Sequence, residues 1–345
     1  MGNEESLLSQ AGLRYIPNVF MQKPLSDALY MDAEISFNVF ATGYYNDWKN
    51  TDSDGECKAY RLWARFSGNQ FEMRAGLQKI NFGSATLFRP LMWFDRIDPR
   101  DPLQLTDGVY GLLLRYYFQN NANIWLWGLY GNDDVKGWET MPTENDGFEF
   151  GGRVQVPVFT GEVGLTYHHR RADFSRVPQL SLASTKKLVD ENRLAFDAKW
   201  DVTIGLWLEG ALTHLDTDIP LVKYQRMLTI GADYTFDIGN GLHVLAEHFN
   251  TENSDNLFSN GEGIRFLGVL MDYPIGLLDR VSAIYYYDRI NRDNYFWLNW
   301  QRTYDNWLVY LIGFFNPETV RLNQARTGDN AFAGNGFQIM VVFNH

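Results

Sequence analysis

The sequence predicts an all-β chain, a transmembrane antiparallel up-and-down β-barrel of about 16 strands. Three observations carry this. Short stretches alternate apolar and polar residues, as in Phe337-Gln338-Ile339-Met340-Val341-Val342-Phe343, the period of a strand with one greasy face. The gaps between them alternate short and long, which is the layout of tight turns on one side of a membrane and loops on the other. Aromatic residues make up 16% of the chain, including 19 Tyr and 11 Trp, a supply that suits two interfacial belts.

The bulk properties agree. The 345 residues are 45% hydrophobic, yet mean hydropathy is −0.30, as expected when half of each strand faces lipid and half faces a polar lumen. No apolar run of about 18 residues occurs, so a helical span is excluded. The net charge of −12 argues against a nucleic-acid partner, which would need a basic face. Cys57 is the single cysteine, so neither an internal disulfide nor a thiolate metal cluster is available. The start, Met1-Gly2-Asn3-Glu4-Glu5, lacks the basic and apolar parts of a signal peptide. The expectation is a mature exported form with an added methionine.

In chain order, residues 1–28, with Pro17 and Pro24, read as a periplasmic tail or a segment entering the barrel mouth, and 29–345 as the barrel. Strands are expected near 29–45, 56–67, 70–80, 108–118, 122–130, 147–157, 160–170 and 191–200. They continue near 203–214, 223–236, 241–250, 262–273, 278–289, 293–303, 305–315 and 335–343. Tight-turn compositions such as Gly68-Asn69 and Asp237 to Asn240 follow the even-numbered strands. Long gaps at 46–55, 81–107, 131–146, 171–190, 215–222, 251–261 and 316–334 follow the odd ones, with a single short exception near 290–292.

Parity sorts the faces. Leu194, Phe196, Ala198 and Trp200 oppose Arg193, Asp197 and Lys199. Arg or Lys facing lipid at mid-depth costs about 2–4 kcal/mol, so the charged sets face inward. Over the second to eighth strands they are mainly basic: Arg61, Arg65, Arg74, Arg115, Arg153, Arg170, Arg193 and Lys199 against Glu72, Glu149, Glu162 and Asp197. Over the ninth to thirteenth they are acidic: Glu209, Asp233, Glu247, Asp272 and Asp288 against Arg280. Opposed basic and acidic walls would set a transverse field across a water-filled lumen. The alternative is that the charges pair and close the interior.

The longest gap, 81–107, is rich in Trp, Phe and Pro, and its apolar residues need a surface to pack on. Folding inward would place Arg89, Asp95, Arg96, Asp98, Arg100 and Asp101 at a constriction. A packed extracellular cap is the other reading. At Gly76-Leu77-Gln78, Gly83, Phe88-Arg89-Pro90 and Asp98-Pro99-Arg100-Asp101-Pro102 the sequence resembles outer-membrane porin-like and alginate-export-like barrels. Those carry a Gly-x-Gln strand and then a loop with an Asn-Pro or Asp-Pro pair. The likeness spans about thirty residues and implies the barrel class and its outer-membrane location. It leaves the substrate open.

Enzyme signatures are missing: there is no Gly-Lys phosphate loop, HExxH or Gly-x-Ser-x-Gly. His168 and His169 would face opposite sides of a strand. Asp52-Ser53-Asp54-Gly55-Glu56 is only a fragment of a calcium loop. The expectation is therefore a non-enzymatic channel for passive diffusion of small polar solutes, with no cofactor and no metal. Its partners would be outer-membrane lipids and the solutes, with a homotrimer or a partner protein as options. The alternatives are a substrate-selective or export channel, and a closed barrel serving as scaffold in an outer-membrane complex.

Overall fold

The computed structural model describes residues 8–46, 49–219, 223–318 and 333–344; residues 1–7 of the N-terminal segment and most of the 316–334 gap lie outside this set. The chain forms one antiparallel sheet of 18 strands. They are β1 (Leu8–Tyr15), β2 (Asn18–Ser26), β3 (Leu29–Asn46), β4 (Lys49–Ser67), β5 (Phe71–Gln78), β6 (Val109–Tyr117), β7 (Asn123–Tyr130), β8 (Phe148–Val158) and β9 (Gly161–Asp173). The second half adds β10 (Leu188–Asp201), β11 (Gly205–Leu215), β12 (Tyr224–Phe236), β13 (Leu242–Ser254), β14 (Glu262–Pro274), β15 (Asp279–Asp288), β16 (Asn294–Tyr304), β17 (Trp307–Phe315) and β18 (Asn335–Phe343).

The expected count of 16 is corrected to 18. The sixteen expected strands coincide with β3 to β18, and the two additional ones come from the N-terminal segment. β1 and β2 lie end to end along a single edge of β3, where β2 pairs with Leu29–Ser36 and β1 with Val39–Asn46. Pro17 separates them, and Pro24 sits within β2. Proline cannot donate to a ladder, so an edge position suits both.

From β3 onward each strand pairs with the next. The ladder continues unbroken to β18. The links 27–28, 68–70, 118–122, 159–160, 202–204, 237–241, 275–278 and 305–306 lie on one side; on the other, 289–293 is as short as the longest of these and the remaining described loops are longer. On the turn side Asn121, Phe159 and Asp305 adopt positive φ, the backbone that tight turns demand. The expected long loop 46–55 is mostly strand. β3 and β4, of 18 and 19 residues, project beyond their neighbours on the loop side. β1 lies on the upper part of β3, so the projecting hairpin is three strands wide.

Alternation dictates two faces. Leu194, Phe196, Leu228, Ile230, Leu267, Phe296 and Leu298 point outward and stay exposed, forming the apolar girdle a bilayer requires. Their neighbours in sequence point inward. The largest packed core therefore lies inside the barrel, where Phe82, Leu87, Phe88, Leu91, Trp93 and Phe94 of the 79–108 loop meet Trp207, Phe249, Phe266, Tyr286 and Ile312 of the wall.

Candidate functional site

The loop between β5 and β6 enters the lumen and is anchored by two wall carboxylates. Glu209 on β11 accepts the backbone N–H groups of Ser84 (2.9 Å), Ala85 (2.9 Å) and Leu91 (2.6 Å). Glu247 on β13 accepts those of Thr86 (2.7 Å), Leu87 (2.9 Å) and Phe88 (2.7 Å), together with Trp207 Nε1 at 2.9 Å. The loop carries no regular structure of its own across 83–91, so these donors would otherwise be buried without partners. Ionised acceptors make the strongest such bonds. The Thr229 hydroxyl donates to the Phe88 carbonyl (2.8 Å), and Trp138 Nε1 to the Arg89 carbonyl (2.8 Å).

Two glycines make the fit possible. Gly83 has φ +98°, and a Cβ there would lie 2.5 Å from the Glu209 carboxylate. Gly268 on β14 leaves room for the Phe88 ring, which stacks on Phe249 at 5.3 Å and tilts against Tyr286 at 5.1 Å.

Most of the loop's own charges are paired locally. Arg89 pairs with Asp95 at 3.2 Å, both buried, and also bonds Asn81. Arg100 pairs with Asp98 at 2.7 Å. Asp101 accepts the N–H groups of Leu103 and Leu105. The Arg96 amide donates to the Thr106 hydroxyl, and Arg61 on β4 reaches the Thr106 carbonyl at 3.0 Å. Burial pushes the Asp95 and Asp101 carboxyls above the ordinary aspartate range, against the pull of Arg89 and of the backbone donors respectively.

On the loop side the basic wall is neutralised. At mid-height, in register with Trp125 and Arg115, Arg153 on β8 bonds Asp197 on β10 at 2.5 and 2.8 Å. Arg170 on β9 holds Glu191 at 2.8 and 2.7 Å, and Arg193 on β10 reaches Glu139 at 2.7 Å. Lys136 and His168 each contact Glu149 at 3.1 Å. Glu139 and Lys136 belong to the 131–147 loop, so this network binds a second loop inward.

The turn side differs. Arg65, Arg74 and Arg115 surround Glu72, with Arg74 at 2.9 Å and the other two at 3.7 Å; Arg65 also holds Asp32 at 2.5 Å. Arg115 stacks over Trp125 at 3.8 Å and Arg74 over Trp63 at 4.7 Å. Lys199 is half-buried opposite Glu162. Across the barrel Asp233 meets His243 at 3.0 Å, and Asp272 meets Arg280 at 3.0 Å. These side chains are partly exposed, in contrast to the loop side.

The sixteen-strand parity thus places every wall residue named from sequence on the inner face, but not in one pore. Glu209 and Glu247 are covered by the loop they hold. Asp288, fully buried, caps its own loop by accepting the Ile290 and Asn291 amides. Sequence reasoning missed Glu139, Glu191, Lys136 and Trp138, which lie at strand ends or in loops where alternation assigns no face.

No protein-family model and no curated protein sequence matches the chain. Among solved structures it is similar to Wzi of Escherichia coli, described as an outer-membrane protein involved in group 1 capsule assembly and a carbohydrate-binding β-barrel. The TM-score is 0.51 at 11% identity, covering 88% of this chain and 79% of that one. It is also similar to OccAB1 of Acinetobacter baumannii, at TM-score 0.48 and 9% identity over 98% and 96% of the two chains. OmpF of Salmonella typhi follows at TM-score 0.43 and 12% identity over 99% and 98%. At such identities the likeness concerns fold. This chain has the fold of an outer-membrane β-barrel like that of Wzi, and its outward face carries the apolar girdle of such barrels.

Proposed function

We propose that the protein is an outer-membrane channel for small polar solutes whose passage is controlled by the inward 81–107 loop. The observation that carries this reading is the anchor: six backbone N–H groups of residues 84–91 end on two carboxylates, Glu209 and Glu247. A plug held by side-chain acceptors on the wall can be released without breaking the barrel's own ladder. The partly exposed, charged turn side gives solutes a polar antechamber beneath it. Arg65, Arg74, Arg115 and Lys199 then face Asp233 and Asp272 as the opposed walls that bias passage toward polar solutes.

Planar-bilayer conductance tests the proposal. The wild-type chain should show small or infrequent openings, and the Glu209→Gln/Glu247→Gln double variant larger and longer ones. Silence from both, in bilayers where the protein is demonstrably inserted, would reject it.

A second reading is favoured by the packed aromatic interior around Phe88, Phe249, Phe266 and Tyr286. A lumen filled this way suits a closed barrel acting as scaffold or glycan-binding partner in a surface complex, as the description of Wzi suggests. On that reading the double variant would lose stability but gain no conductance.

A further inference from the structure

The outward apolar face of three neighbouring strands ends in arginine on the loop side. Read upward from the turns, Ala232, Ile230 and Leu228 lead to Arg226 on β12. Met271, Val269 and Leu267 lead to Arg265 on β14, and Ala283, Tyr285 and Tyr287 lead to Arg289, just past β15. Their chain neighbours Met227, Phe266 and Asp288 are buried on the inner side. Arg265 lies eight residues up β14 from outward Tyr273. That is about 21 Å of height, at ~3.4 Å per residue and a tilt of ~40°. An outer-membrane apolar band is about 25 Å tall, so the arginines stand near its loop-side edge, at head-group level.

Arg265 and Arg289 face each other across two strands. The Arg289 amide donates to the Arg265 carbonyl at 2.8 Å, which extends the register Phe266↔Asp288 by one pair. Side chains opposed in this way have Cβ atoms about 5 Å apart, and like charges so placed destabilise a sheet. An arginine that only lifts its charge into water needs no such neighbour. Both side chains are exposed. Arg265 is also held in place, because it donates to Asn250 Oδ1 at 3.0 Å and to Glu252 Oε1 at 3.1 Å. Glu252 is shared with Arg226 at 2.9 Å, so on this face it sets one negative charge against the three positive ones of Arg226, Arg265 and Arg289. His248 lies one row below, between Ile230 and Leu267.

We propose that Arg265 and Arg289 form an outward-facing site for the phosphate group of an outer-leaflet lipid. Two guanidinium forks side by side suit the bidentate geometry of phosphate, and a phosphate between them turns an unfavourable opposition into a bridge. Exposed Ile230 and Leu267 with half-buried Tyr287 lie directly beneath. They give the acyl chains of the same molecule a surface to cover, so a lipid gains contacts that a free ion lacks. The loop side faces away from the cell in bacterial barrels with this arrangement of turns and loops, which assigns the site to the outer leaflet.

Lipid binding by the full-length protein tests this. The chain is refolded in a nonionic detergent and titrated with bisphosphorylated lipid A, and the bound lipid is followed by native mass spectrometry. Dephosphorylated lipid A should bind wild type about tenfold more weakly or worse, the loss expected when charge-assisted hydrogen bonds are removed. Arg265→Gln/Arg289→Gln should weaken binding of the phosphorylated lipid by a similar factor. Arg171→Gln should not, since Arg171 is an outward loop-side arginine already paired with Glu144 at 3.0 Å. Both variants are first checked for the folded band on unheated SDS gels. Equal affinity of wild type for the phosphorylated and dephosphorylated lipids overturns the proposal without recourse to any variant. Undiminished binding by the folded double variant overturns it as well. Millimolar inorganic phosphate should leave the lipid in place; complete displacement by it would make this a site for a free anion and reject the lipid.

Discussion

At the scale of single residues, the interior is organised by carboxylates that have few substitutes. Arg153 and Asp197 are each about 2% exposed at the side chain and bonded to one another. Gly164 lies beside them because a Cβ there would sit 2.3 Å from the guanidinium. Removing one member of such a pair leaves the other charge buried, at a cost of about 3–5 kcal/mol. Arg153→Ala should therefore lower the temperature at which the folded band disappears on unheated SDS gels. Replacing both partners with apolar residues should restore much of that loss. Gly83→Ala makes a sharper local test. Its Cβ would push on the Glu209 carboxylate from a backbone conformation that alanine rarely adopts. The expected result is a normally inserted barrel with a loosened loop anchor, read as conductance above wild type. A variant that is both stable and as quiet as wild type would show that Glu209 can retreat without releasing the loop.

At the scale of elements, loops on the outer side clasp one another. The segment after β9 contributes Ser184, Thr185 and Lys186, and the segment after β11 contributes Asp216 and Asp218. Asp216 bonds Lys186 at 2.8 Å, and Asp218 accepts the Ser184 and Thr185 hydroxyls at 2.8 and 3.2 Å. These bonds hold both carboxyls below the ordinary aspartate value of 3.8. A depressed folded-state value means that the stabilisation is complete above the unfolded value and is lost as pH falls through the folded one. A spin label at Leu182→Cys in a Cys57→Ser background should stay constrained at pH 6 and become freer only below about pH 3.8. With Asp218→Asn it should already be freer at pH 6. The clasp, like the carboxylate anchor, could not be read from sequence. Alternation told which face Glu209 and Glu247 occupy, but their partners are loop amides 118 to 161 positions away, and main-chain donors leave no trace in residue type. The sixteen strands β3 to β18 were legible because each exposes one face to lipid. β1 and β2 were not, since Lys23, Pro24 and Pro17 interrupt their alternation.

At the scale of the whole molecule, charge is sorted by depth as well as by wall. From mid-height to the loop side Arg153, Arg170 and Arg193 are spent on carboxylates they touch, so the field there largely cancels. On the turn side Arg65, Arg74 and Arg115 converge on Glu72, and Arg65 also holds Asp32, in a partly exposed chamber where Glu34 bonds the neighbouring Trp63. Any ion entering from the turns meets this cluster before the loop. If the lumen conducts, removing positive charge here should move ion selectivity toward cations, whereas the same change on the loop side should mainly destabilise the fold. The informative comparison is Arg74→Ala/Arg115→Ala against Arg193→Ala in the Glu209→Gln/Glu247→Gln background, where openings should be long enough to measure. Under a tenfold salt gradient the first pair should shift the reversal potential toward the cation limit. Arg193→Ala should leave it near the parent value and lower the thermal stability of the folded band instead. Equal reversal potentials for all three proteins would place the ion path away from the Arg74–Arg115 cluster, and the opposed-wall reading of the turn side would fall with it.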